Sequence, residues 1–156
     1  RRDCVPAASL ENMTRADYRP GGCTPLYDAM GRAISQLDSR IKEGDAVLVT
    51  IITDGMENSS CEYSGIAVRE LVARQREKGW TFAYIGANQD AVEVARELNI
   101  SNALDFDASP EGMVTMSVKY EKARKKYLRN VHCCMDMGSS PNFLGKLMDL
   151  FEEDED

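Results

Sequence analysis

Ala46-Val47-Leu48-Val49-Thr50-Ile51-Ile52-Thr53-Asp54-Gly55 is the stretch that decides the fold. Over 46–53 the chain is apolar or β-branched without interruption, which reads as a strand buried on both faces, the kind found in a parallel sheet. The run ends abruptly in Asp54-Gly55. A carboxylate followed by glycine at a strand end marks a sharp turn, and ligands of open α/β sheets gather outside the carboxyl ends of their strands.

Working outward, Leu26, Met30, Ala33, Ile34, Leu37 and Ile41 recur at helical spacing. They predict an amphipathic helix over 25–42, with Pro25 in its first turn and the polar stretch 42–45 ending it. Residues 1–23 show no periodicity and close on Arg19-Pro20-Gly21-Gly22, a turn signal, so they read as loop. Downstream the pattern predicts a helix over 66–78 stopped by Gly79, a strand over 80–85, a helix from about 90 to 98 and a strand over 103–106. Ser109 and Pro110 then open a helix that carries Met113, Met116, Tyr120, Ala123 and Tyr127 on one face. Such alternation is the signature of an α/β protein: a doubly wound, mainly parallel, Rossmann-like sheet with helices on both faces. The domain is expected over 1–130. An extension over 131–156 would hold a short amphipathic helix, with Phe143, Leu147, Leu150 and Phe151 on one side, and an acidic tail. That helix reads as a docking segment or a partner-binding one.

At 156 residues the chain has the size of one domain, and 43% hydrophobic with 29% charged residues argues against disorder. The longest apolar run, 46–52, is too short to span a bilayer, so no membrane partner is expected. A net charge of −7, with acid gathered in 152–156, argues against nucleic acid, whose phosphates need clustered Lys and Arg. The basic cluster 122–126 with Arg129 reads as the solvent face of a helix. Five cysteines, an odd number without framework spacing, suit a reducing compartment, so the expected location is cytoplasmic. The first residue is Arg1 rather than Met, so a missing signal peptide is uninformative.

Two loops carry the chemistry. The loop after the strand holds Asp54 together with Asn58, Ser59 and Ser60, an oxygen-rich set suited to a hard divalent cation. The second loop, 21–25, presents the Thr24 hydroxyl where a helix begins. The plain alternative is that Thr24 caps that helix and Asp54 forms a turn. Three other candidates have equally plain readings. Asp107-Ala108-Ser109-Pro110-Glu111 reads as helix capping rather than a ligand set. Gly86-Ala87-Asn88-Gln89-Asp90 reads as a strand-to-helix turn, since it lacks the G-x-G-x-x-G phosphate cradle. His132-Cys133-Cys134 reads as an incidental triplet in an unpatterned tail, since one histidine without a C-x-x-C pair makes a poor soft-metal site.

Together, TPLYDAM at 24–30 and ITDGMENSS at 52–60 resemble two of the three metal-site motifs of von Willebrand factor type A domains. The likeness extends through WTFAYIGANQDA at 80–91 and ELNISNALDF at 97–106, and so covers most of 18–127. It implies that Thr24 and Asp54 bind a divalent cation, magnesium first with manganese or calcium as alternatives, directly or through water. It implies further that a third motif, D-x-S-x-S at the end of the central strand, completes the shell, and that a partner protein's Asp or Glu fills an open position. No D-x-S-x-S and no long apolar strand precede Tyr18. A preceding segment or a second polypeptide is therefore expected to supply both, because unpaired interior strand edges cost on the order of 1–3 kcal/mol per group. The function implied is a protein-binding module, not an enzyme. The alternatives are a metal-independent assembly scaffold and a phosphoryl-transfer or hydrolytic enzyme built on Asp54.

Overall fold

The computed structural model describes residues 6–12, 14, 16–17, 22–87, 90–139 and 149–151. Three strands, β1 (Leu48–Thr53), β2 (Thr81–Ala87) and β3 (Asn102–Phe106), form one parallel sheet in the order β1-β2-β3. Ile51 stands opposite Tyr84, and Ile85 opposite Leu104. Between and after the strands run α1 (Leu26–Asp38), α2 (Gly65–Glu77), α3 (Ala91–Glu97) and α4 (Pro110–Asp136). The protein is thus α/β, as the alternation of patterns implies.

The period-two geometry of β2 explains how helices come to lie on both faces. Phe82 and Tyr84 point into one cluster with Met30 and Ile34 of α1, Val68 and Val72 of α2 and Ala91 and Ala95 of α3. Ala83 and Ile85 point the other way. They meet Met116, Ala123, Tyr127 and Val131, the three-and-four-spaced face of α4. Every position of β2 is buried, as the middle strand of a covered sheet must be. Trp80 stacks on Phe82 with ring centroids 6.3 Å apart and closes the core at the start of the strand.

Strand β1 departs from expectation. It is not buried on both faces: Leu48, Val49 and Thr50 are half-buried and Ile52 is 53% exposed. The reason is topological, because among the described residues β1 pairs on one side only, with β2. An apolar run records that a strand sits in a sheet, not how many neighbours it has.

Other boundaries shift for local reasons. Helix α1 stops at Asp38, short of 42, and the Lys42 amide turns back to donate to the Asp45 carboxylate at 2.9 Å. Gly79 ends α2 with φ 92°, a left-handed conformation that glycine adopts without the Cβ penalty. Helix α4 continues through 130 and 131 to Asp136, so His132, Cys133 and Cys134 lie on a helix rather than in an unpatterned tail. Beyond it, Leu150 is 3% exposed and packs against Ala83, Ala123, Tyr127 and Val131. Its amide donates to Asn102 Oδ1 at 2.8 Å, while Asn102 Nδ2 donates to the Phe82 carbonyl at 2.9 Å. Residues 149–151 are therefore docked on the sheet. They form a bend rather than the end of the helix expected over 141–151, and 141–148 and the acidic tail lie outside the described residues. No helix among the described residues is long and apolar enough to cross a membrane.

Candidate functional site

Because the strands are parallel, their carboxyl ends share one edge, and β1 brings Asp54 there. The N-terminus of α1 reaches the same edge. The Thr24 amide donates to Asn58 Oδ1 at 2.8 Å, and the Asn58 amide donates to the Thr24 carbonyl at 3.2 Å. A Cβ added to Gly55 would sit 2.9 Å from Thr24 Oγ1, so the absence of a side chain at 55 is what lets the Thr24 hydroxyl lie beside the Asp54-Gly55 turn. Two segments some thirty residues apart thus meet at one edge of the sheet.

Thr24 does not cap α1. Pro25 occupies the cap position, and no side chain of its own closes the helix. The first-turn amides are taken instead by the partner loop, where Tyr27 N donates to Glu57 Oε2 at 2.8 Å and Asp28 N to Ser60 Oγ at 3.0 Å. A helix N-terminus leaves several amides without intrahelical acceptors, and here the loop after β1 supplies them in trans. The traffic runs both ways. Asp28, 8% exposed, accepts from the amides of Cys61 at 3.0 Å and of Glu62 and Tyr63 at 2.8 Å. Arg32 pairs with Glu62 at the rim, with Nε 2.7 Å from Oε2.

Glu57 is the most heavily used group. Its carboxylate accepts from the amides of Tyr27, Ser59 and Ser60 at 2.7–2.8 Å and from the Ser60 hydroxyl at 2.6 Å. Burial pushes its pKa up, but the Ser60 hydroxyl and the three amides outweigh burial and hold it down at about 2. The Cys61 amide foremost, opposed by burial and aided by the Tyr63 and Glu62 amides, holds Asp28 below the usual carboxylate range.

The oxygen donors expected of the loop therefore divide. Asn58 and Ser60 are spent on locking the loops, and the Ser59 hydroxyl is buried without a hydrogen-bond partner among the described residues; Thr24 Oγ1 and the exposed Asp54 carboxylate likewise make no hydrogen bond among the described residues. These two fit part of a hard-cation shell. They do not fill one: among the described residues no three His, Cys, Asp or Glu side chains gather closely enough to hold a metal ion. The chain matches no family model, no curated protein and no solved structure.

The lesser candidates take their plain readings. Ser109 caps α4 by accepting from the Gly112 amide at 3.0 Å, and Asp90 caps α3 by accepting from the Glu93 amide at 2.9 Å. His132 and Cys133 are exposed on α4, and Cys133 Sγ lies 3.9 Å from Met137 Sδ. The residues that sequence reasoning missed are Asp28 and Glu57. Both acids stand within TPLYDAM and TDGMENSS, but the amides that Asp28 satisfies, and the Tyr27 amide that Glu57 satisfies, lie 30 or more positions away.

Proposed function

We propose that this chain is the carboxyl-terminal part of a von Willebrand type A-like domain of doubly wound, Rossmann-like architecture. In this reading it is a protein-binding module that uses a divalent cation to capture a carboxylate of a partner protein. Thr24 and Asp54 supply two oxygen ligands, and magnesium is the expected ion, with manganese or calcium able to take the same donors. The observation that carries the reading is the joining of the two loops at the carboxyl edge of the sheet, with the Thr24 hydroxyl against the Asp54-Gly55 turn and both side chains without a hydrogen bond among the described residues. A second observation supports the rest of the shell coming from elsewhere. The outer edge of β1 has no partner strand among the described residues, and Ile52 of this strand is 53% exposed. A strand ending in D-x-S-x-S, from a preceding segment or a second polypeptide, would pair there and bring its oxygens to the same edge.

No step of bond making is assigned, and the module is proposed as a binding protein rather than an enzyme. The test is calorimetric titration of the natural full-length polypeptide with Mg2+ and Mn2+, beside the Asp54→Ala variant. Saturable heat in the wild type that disappears in the variant supports the adhesion site. Identical traces would favour a metal-independent scaffold, and phosphate-ester turnover lost in Asp54→Ala would replace the binding reading with an enzymatic one.

A further inference from the structure

We infer that Glu57 is a positioning residue for the cation site, working with Asp28 as a reciprocal clamp that sets the two ligand-bearing loops in register before any ion arrives. The inference rests on the adhesion-site reading above. Its basis is a division of labour visible in the hydrogen bonds. Glu57, on the loop after β1, satisfies the Tyr27 amide in the first turn of α1 and the amides of its own Ser59 and Ser60. Asp28, on α1, satisfies three successive amides of that loop, Cys61, Glu62 and Tyr63. Ser60 joins the two halves, donating its hydroxyl to Glu57 and accepting from the Asp28 amide. Each element thus carries the acceptor for the other's unpaired donors.

The clamp brackets the ligands. Asp54 precedes Glu57 by three residues, and Thr24 precedes by three the Tyr27 amide that Glu57 holds. Without Glu57, the loop would retain the Thr24–Asn58 exchange at one end and the Asp28 contacts at the other, but the segment between them would lose its central acceptor. Groups that orient metal ligands from behind commonly change metal affinity 10–100-fold when removed. A clamp made only of protein groups also predicts that the loops are ordered in the ion-free protein.

The experiment uses the full-length polypeptide and compares wild type, Glu57→Gln, Glu57→Ala, the milder Ser60→Ala and, as a control on the adhesion reading, Asp54→Asn. Two quantities are read well below the melting temperature: Mn2+ affinity by calorimetry, and ion-free amide exchange at Tyr27, Ser59 and Ser60. We expect Asp54→Asn to abolish Mn2+ binding with the exchange pattern unchanged. Glu57→Ala should weaken Mn2+ roughly 10–100-fold, Glu57→Gln and Ser60→Ala less, all with faster exchange at those amides. A purely structural role would lower the melting temperature yet leave the affinity of the folded protein alone. Wild-type Mn2+ affinity in the folded Glu57 and Ser60 variants, with Asp54→Asn still inactive, overturns the positioning role and leaves the adhesion site standing. Absence of Mn2+ binding by the wild type overturns the adhesion site and the positioning role with it, and unchanged exchange in the variants overturns the clamp whatever the ion does.

Discussion

Gly31→Ala is the substitution for which two well-known effects oppose each other most directly. Gly31 lies inside α1, where replacing glycine by alanine ordinarily stabilises a helix by about 0.8–1.0 kcal/mol. Here the new Cβ would fall 2.5 Å from Tyr63 Cε1 and nearer still to Cγ and Cδ1. Ordinary carbon contacts lie near 3.5–4.0 Å, so the ring must retreat by about an ångström or more. It has little freedom to do so, because the Tyr63 amide is held by Asp28 Oδ1 at 2.8 Å and Cγ is the root of the ring rather than its flexible end. Overpacking of this kind costs about 1–3 kcal/mol; with contacts this short at the root of the ring the upper half of that range applies, so the propensity gain is exceeded and a net loss of about 1–2 kcal/mol remains. Trp80, 3% exposed, reports the transition by fluorescence in urea, and the midpoint should fall with an unchanged m value. In a Tyr63→Ala background the obstacle is gone, so Gly31→Ala should turn neutral or stabilising, a coupling that a double-mutant cycle isolates. A single Gly31→Ala protein as stable as wild type, or a cycle without coupling, would refute the packing of Tyr63 across α1.

Three further outcomes follow from named contacts. Gly112→Ala should destabilise more than Gly31→Ala, by about 2–3 kcal/mol in a thermal melt, because its Cβ would meet Asp107 backbone, the carbonyl carbon at 2.9 Å and the oxygen nearer still, and backbone cannot swing aside. Leu150→Ala should cost about 2–5 kcal/mol by urea titration if the segment after α4 is part of the core, and an unchanged midpoint would show that it merely rests on it. For Glu57 the folded pKa of about 2 lies below the ordinary value of 4.5, so its contribution is complete above about pH 4.5 and is lost as pH falls towards 2. Stability measured across that window should drop more steeply in wild type than in Glu57→Gln, and parallel curves would contradict the hydrogen bonding assigned to the carboxylate.

What could be read in advance follows from the range of the interactions. β2, β3, α2 and the opening of α4 announce themselves through local signals: the apolar runs 80–85 and 103–106, Gly79 as the stop of α2, and Ser109 with Pro110 opening α4. The end of α4 does not, because after Val131 only helix-compatible residues without an apolar rhythm carry it to Gly138. The half-exposure of β1 was equally invisible, since it depends on which strands stand beside it. The placing of Thr24 and Asp54 at one edge of the sheet was legible from motif and strand end. The contacts of Asp28 and Glu57 across the loops were not, because an acid in a first turn, as Asp28 is, is normally explained by its own helix's dipole, and Glu57 reaches a helix 30 positions away.

That hidden pairing also bears on charge. The two loops and the first turns of α1 carry four acids, Asp28, Asp54, Glu57 and Glu62. Glu57 and Asp28 are occupied by amides, and Glu62 faces Arg32. Only Asp54 remains to face a cation, with Thr24 adding a neutral oxygen. A divalent ion placed on this pair alone keeps about one unit of positive charge and most of its coordination positions, which makes it a weak site and an electrophilic one. Further oxygens are needed for tight binding, and a carboxylate presented by another chain is the ligand that both neutralises the residual charge and fits a hard ion. If the adhesion reading is right, Mn2+ affinity of the polypeptide should therefore rise on adding an acidic partner segment, and by linkage the partner should bind more tightly in Mn2+ than in chelator. Partner affinity indifferent to the ion would separate the two events and overturn the capture of a partner carboxylate by the cation.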